Sequence, residues 1–135
     1  MRSEQQRPPE SRPYPGSPAE MVTKPRDSMS DWHGNGLLAD RRVLVTGGDS
    51  GIGRAVAILF AKEGADVAVS YLAELEEEDA QYTCERIREA GRKGVAFRRD
   101  LAEARACREL VSDAAAALGG LDILVNNAGV QRRAP

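Results

Sequence analysis

A short apolar run, Val43-Leu44-Val45, passes directly into Thr46-Gly47-Gly48-Asp49-Ser50-Gly51-Ile52-Gly53, and apolar residues then recur at helical spacing. This juncture constrains the fold more than any other stretch of the chain. A continuous apolar run ended by turn residues is the pattern of a strand buried on both faces. Glycines placed straight after it let the backbone reverse sharply and start a helix. Ile52, Ala55, Val56, Leu59 and Phe60 then mark a helix, and Gly64 closes it.

The alternation continues down the chain. Val67-Ala68-Val69 reads as a second strand. Glu74 to Ala90 reads as a helix with Ala80, Cys84 and Ile87 on one face, acids early and Arg86 and Arg88 late. Val95 to Phe97 is a third strand. Cys107, Leu110, Val111, Ala114 and Leu118 predict a third helix ended at Gly119-Gly120, and Ile123-Leu124-Val125 a fourth strand. Apolar strands alternating with amphipathic helices predict an α/β fold with a parallel sheet covered on both faces. Right-handed crossovers then give the first half of a doubly wound Rossmann sheet, in spatial order 3-2-1-4, over residues 41–135.

Residues 1–40 differ in kind. Six of the seven prolines fall between Pro8 and Pro25, a density that blocks helix and ladder pairing. An extended or disordered N-terminal arm is expected. Met21, Met29, Trp32 and Leu37-Leu38 leave open that it lies along a protein surface. A net charge of -2 and 4% aromatics give no electrostatic or stacking case for nucleic acid or an anionic membrane. No apolar run reaches the roughly 20 residues of a membrane span, and the N-terminus does not read as a leader, so a cytoplasmic location is expected. Cys84 and Cys107 have no metal-type spacing and read as free thiols. His33 is the only histidine, so no histidine-metal or Ser/His/Asp site is expected.

The glycine loop sits where an open α/β sheet binds ligands, outside the carboxyl end of its central strand. Gly47 permits the tight turn, Gly51 a close backbone approach to a pyrophosphate, and Gly53 close packing of helix on sheet. Ser50 adds a hydroxyl. No Gly-Lys-Ser/Thr follows, which excludes a Walker loop. Asn126-Asn127-Ala128-Gly129 ends the fourth strand beside this loop, where small residues admit a ribose and an asparagine amide can bridge neighbouring strands.

Thr-Gly-x-x-x-Gly-Ile-Gly with Leu-Val-Asn-Asn-Ala-Gly and Asp100-Leu101 resembles the short-chain dehydrogenase/reductase family over Arg42 to Gln131. Gly-Gly-Asp-Ser-Gly-Ile-Gly-Arg-Ala-Val-Ala and Ser70-Tyr71-Leu72 are similar to one branch, that of glucose and ribitol dehydrogenases and general-stress oxidoreductases with an N-terminal arm. The resemblance implies an NAD(P) cofactor, with Gly47, Ser50, Gly51, Ile52 and Gly53 at the pyrophosphate. Asp100 and Leu101 would flank the adenine, and Asn127, Ala128 and Gly129 would meet the nicotinamide-side ribose. It also implies a small-molecule alcohol or carbonyl substrate, of sugar, polyol or aldehyde class, and a homotetramer. An NAD enzyme places an acid at the end of the second strand. Ser70-Tyr71-Leu72 stands there instead, which leans slightly to NADP; Arg54 is the nearest cation in sequence, and Arg98-Arg99 and Arg92-Lys93 are weaker candidates.

The family's proton transfer uses a serine and a Tyr-x-x-x-Lys. Tyr14, Tyr71 and Tyr82 are followed at that distance by Pro18, Leu75 and Arg86. The 135 residues are therefore expected to carry the cofactor side of a site and no catalytic residue, and to be inactive alone. The alternative is a nucleotide- or partner-binding role without catalysis. Leu121 to Val125 is expected to form an exposed sheet edge, a pairing hazard for the isolated segment.

Overall fold

The computed structural model describes residues 27–129, and the expectations for Met1 to Arg26 and for Val130 to Pro135 lie outside them. Four strands and three helices follow in strict alternation: β1 (Arg42–Thr46), α1 (Gly51–Lys62), β2 (Asp66–Tyr71), α2 (Glu77–Glu89), β3 (Gly94–Arg98), α3 (Ala104–Leu118) and β4 (Ile123–Val125). The strands pair in parallel in the order β3-β2-β1-β4. Val43 stands beside Val67 on one side and Ile123 on the other, which puts the carboxyl ends of all the strands at one edge of the sheet.

The two-residue period of the strands sorts the core into two layers. Val43, Val45, Val67 and Val69 pack on Ala57, Ala61, Cys84 and Ile87 of α1 and α2. Leu44 and Ala68 point the other way, onto Leu110, Ala114 and Leu118 of α3. A buried leucine such as Leu110 leaves a cavity when truncated to alanine, at about 2–5 kcal/mol.

The helix faces differ from the sequence reading in two places. In α1 the buried residues are Gly53, Arg54, Ala57, Ile58 and Ala61, one step round from the predicted stripe. This helix is apolar on nearly every side after Arg54, so periodicity does not fix its face; Ala57 and Ala61 are small enough to bring it close to the valines. Ile52 is 77% exposed, and Val111 in α3 is also exposed.

The sheet is fastened at its amino-terminal end by polar groups. Arg42 Nε donates to Asp122 Oδ2 at 3.1 Å and its Nη1 to the Gly119 carbonyl at 2.6 Å, joining β1 to the turn before β4. Residues 29–40 lie against the end of α1 at this same end, while Asp27 reaches Arg54 in its first turn. The buried Glu63 carboxylate accepts from Trp32 Nε1 at 2.9 Å, from the Leu37 amide at 3.0 Å and from the Asn35 amide at 3.1 Å. Lys62 Nζ donates to the Met29 carbonyl at 2.6 Å, and the Leu38 amide donates to the Glu63 carbonyl at 2.9 Å. His33 is exposed within this segment.

Candidate functional site

The site begins where β1 runs out. Gly51, at the start of α1, has φ +56°, and nothing lies within 4 Å of where a Cβ would stand. The left-handed backbone favours glycine, and the open space leaves room for a ligand against the chain. Ser50 precedes it with extended backbone and makes no side-chain cap, and α1 has no acid in its first turn. The first amides of a helix have no acceptor within it, and together with the helix dipole they favour an anion.

Gly53 is needed for a different reason. A Cβ there would collide with the Gly47 carbonyl oxygen and with Asn127 Nδ2. Those two groups form a hydrogen bond of 3.1 Å, which ties the end of β4 to the glycine loop. Thr46 completes the tie: its Oγ1 accepts from the Asn127 and Ala128 amides, each at 3.0 Å. The predicted bridging role of the asparagine amide thus has a geometry, and Thr46 is a partner that sequence reasoning did not single out.

A cleft of about 480 Å³ opens beside this latch. Gly47, Ser50, Asp100, Leu101, Asn127, Ala128 and Gly129 all line it, so seven expected site residues from three separate loops meet around one space. Gly51, Ile52 and Gly53 occupy the first turn of α1 and are not part of that lining. Ser70, Tyr71 and Leu72 at the end of β2 form a further wall, with Ser70 Oγ 3.4 Å from the Gly47 amide.

Two residues in the cleft wall escaped sequence reasoning. Asp49 and Glu76 are 4% and 6% exposed and both line the cleft next to Ser70-Tyr71-Leu72. Glu76 belongs to a short 3-10 turn, Glu74–Glu76, ahead of α2, and its Oε1 accepts from the Ala73 amide at 2.9 Å. Burial, followed by the hydrogen bond and the charge of Glu76, pushes the Asp49 carboxyl up to about 7. In a run of acids at a helix start each would ordinarily be solvated; Glu76 departs from that, and among the described residues no group of acids, histidines and cysteines is arranged for a metal.

The cations also fall differently from expectation. Arg54 does not reach the cleft. It is buried, donating from Nη2 to the Asp49 carbonyl at 2.6 Å and the Asp79 carbonyl at 3.0 Å, and from Nε to Thr83 Oγ1 at 3.0 Å. Its guanidinium lies 4.6 Å from the centre of the Tyr82 ring and pairs with Asp27 at 3.5 Å. Arg99 lines the cleft, held by Asp113 at 2.6 Å. Arg92 instead pairs with Asp66 on the far side of the sheet.

A glycine loop at the carboxyl edge of β1, facing the end of β4 in a parallel sheet of this order, defines the nucleotide-binding half of a doubly wound α/β protein. The family model for short chain dehydrogenase matches residues 41–135, and the chain belongs to that family. It is 51% identical over 128 residues to the uncharacterized oxidoreductase YghA of Escherichia coli (strain K12), covering 95% of this chain and 43% of that protein. It is 39% identical over 141 residues to the glucose and ribitol dehydrogenase homolog of Oryza sativa subsp. japonica, covering 100% of this chain and 47% of the relative. The crystal structure of a short chain dehydrogenase from Burkholderia cenocepacia J2315 in complex with NADP superposes with a TM-score of 0.67 at 48% identity, over 70% of this chain and 38% of that one. The chain thus spans less than half the length of these proteins. Among the described residues, no helix is long and apolar enough to cross a membrane.

Proposed function

We propose that the chain supplies the cofactor-binding side of an NADP(H)-dependent oxidoreductase that interconverts an alcohol and a carbonyl in a sugar, polyol or aldehyde. The observation that carries this reading is the latch from Asn127 to the Gly47 carbonyl across the mouth of the cleft. It holds two loops in the relation that a dinucleotide spanning the cleft requires. The NADP found in the Burkholderia cenocepacia relative supports the choice of cofactor.

In this reading Ser50, Gly51, Ile52 and Gly53 receive the pyrophosphate at the start of α1, with Gly47 turning the chain away beneath it. Asp100 and Leu101 flank the adenine. Asn127, Ala128 and Gly129 support the second ribose, and Thr46 fixes their backbone. The nicotinamide supplies the hydride-transfer chemistry when bound. The chain's own residues bind it, orient it and exclude water from one side. Residues 41–135 form the cofactor domain, and residues 1–40 form an arm. The alcohol or carbonyl meets residues of the whole protein beyond those named here, and a tetramer is the proposed assembly.

The test is Gly51→Val in the intact protein. A β-branched side chain in left-handed backbone is strained by about 1–3 kcal/mol, and it fills the space assigned to the pyrophosphate. NADPH fluorescence titration is expected to show at least a hundredfold loss of affinity while the circular dichroism spectrum is retained. Unchanged affinity removes the loop from the site.

A further inference from the structure

The arm does more than cover the amino-terminal end of the sheet, because Asp27 lies beside the first turn of α1, next to the glycine loop. We propose that Asp27 is a positioning residue for the cofactor: it holds the Arg54 guanidinium in the orientation that fixes the Asp49-Ser50 peptide of the glycine loop, so that docking of the arm and binding of the dinucleotide strengthen each other. This rests on the reading of the cleft as the dinucleotide site.

Arg54 is the hub of the arrangement. Its Nη1 meets Asp27 Oδ2 at 3.5 Å, while its Nη2 donates to the Asp49 carbonyl at 2.6 Å and to the Asp79 carbonyl of α2 at 3.0 Å. Its Nε donates to Thr83 Oγ1 at 3.0 Å, and its backbone amide donates to the Ser50 carbonyl at 3.3 Å. Asp27 and Arg54 are both buried, so an acid of the arm is sealed against the helix start. Asp49 and Ser50 line the cleft, and Ser50 stands at the N-cap of α1. One guanidinium therefore joins the arm, α2 and the loop assigned to the pyrophosphate.

A guanidinium is a rigid planar fork, so the contact made by one nitrogen sets where the others point. A peptide unit is planar too, so a held Asp49 carbonyl also holds the Ser50 amide that shares its plane. A buried charge needs a partner. With the arm carboxylate gone, Arg54 keeps Asp79 as its counter-ion, at 3.7 Å, and the fork is drawn toward α2 and away from the glycine loop. Glu63 grips the arm at a separate place, through Trp32, Asn35 and Leu37. Loss of Glu63 loosens that stretch and leaves the Asp27 contact in place.

The experiment is a fluorescence titration of the intact protein with NADPH, well below the midpoint of unfolding. Asp27→Ala should weaken binding about tenfold, within the usual range of coupling between sites. Glu63→Ala, which loosens the same arm, should leave it unchanged. In an Arg54→Met background, Asp27→Ala should have no further effect. If that background fails to fold, Arg54→Lys, which keeps the charge and loses the fork, takes its place. Coupling is reciprocal, so saturating NADPH should also slow hydrogen–deuterium exchange at Asp27 and Ser28 in the unsubstituted protein. This second readout decides the matter if Asp27→Ala does not fold. Unchanged affinity in folded Asp27→Ala, an equal loss with and without Arg54, or unaltered exchange at Asp27 and Ser28 overturns the proposal. Failure of NADPH to bind the unsubstituted protein overturns instead the reading of the cleft on which it rests.

Discussion

Two buried carboxylates at opposite ends of the sheet show what separates a structural acid from a site acid. Glu63, at the amino-terminal end, is saturated: Trp32 Nε1 and the amides of Asn35 and Leu37 all donate to it, and they hold its carboxyl below the ordinary range. Asp49, at the carboxyl end, faces a cleft and another acid, and its carboxyl rises to about 7. Both residues are about equally hidden from water. At Asp49 burial and the neighbouring acid raise the carboxyl, whereas at Glu63 the donors from Leu37 and Trp32 outweigh the cost of burial. One end of the molecule has satisfied its polar groups internally, while the other keeps amides, a hydroxyl and an acid turned toward empty space.

Substitutions can break or sharpen that contrast. The largest effect is expected from Gly53→Ala, because even a methyl group collides with the Gly47 carbonyl and Asn127. Overpacking against backbone costs about 1–3 kcal/mol, and the forced shift of the loop should abolish measurable NADPH binding while lowering the midpoint of thermal unfolding. Thr46→Val comes next. It strips two backbone amides of their 3.0 Å acceptor, a loss of roughly 1–3 kcal/mol for groups left unsatisfied. A weakening of NADPH binding by about tenfold or more is expected in a fluorescence titration. The smallest effect on the cofactor belongs to Glu63→Ala. It should speed proteolytic cleavage within residues 27–40 and leave NADPH affinity unchanged, since the lost contacts lie at the other end of the sheet.

The same two acids should pull the pH dependence of stability in opposite directions. Glu63 has a depressed folded pKa, so its contribution is complete above the unfolded value and disappears as pH falls through the folded one. Asp49 has a raised folded pKa: the native state keeps a proton that the unfolded chain has already released. Stability therefore declines as pH climbs from the ordinary carboxylate range toward about 7, and levels off above it.

The contrast also explains what was legible in the sequence. All four strands and the helices between them can be read from apolar runs and glycine stops, because strands buried on both faces leave little ambiguity. That Asp100 and Leu101 share a cleft with the glycine loop and Asn127 agrees with what the family resemblance implies, the parallel strands bringing all their carboxyl ends to one edge. The face of α1 was not legible from apolar periodicity, since that helix is apolar on nearly all sides. Arg54 nevertheless stands at helical spacing from Ala57, Ile58 and Ala61, with which it shares the buried face of the helix. Glu76 was hidden by its company. In a run of acids each looks solvated, and only the fold shows which one turns inward to meet an aspartate from another loop. Glu63 is hidden for a similar reason, because its donors come from residues 27–40, a segment whose composition gives no sign of where it rests.

Hydrogen–deuterium exchange of the intact protein with and without NADP tests the central claim most directly, since both ends of the sheet are read in one experiment. The account expects slowed exchange at the amides of 50–53, 100–101 and 127–129, with no change in 32–38 or around Glu63. Unchanged exchange at the glycine loop and at Asn127 under saturating NADP, or protection confined to the Glu63 end, would contradict it.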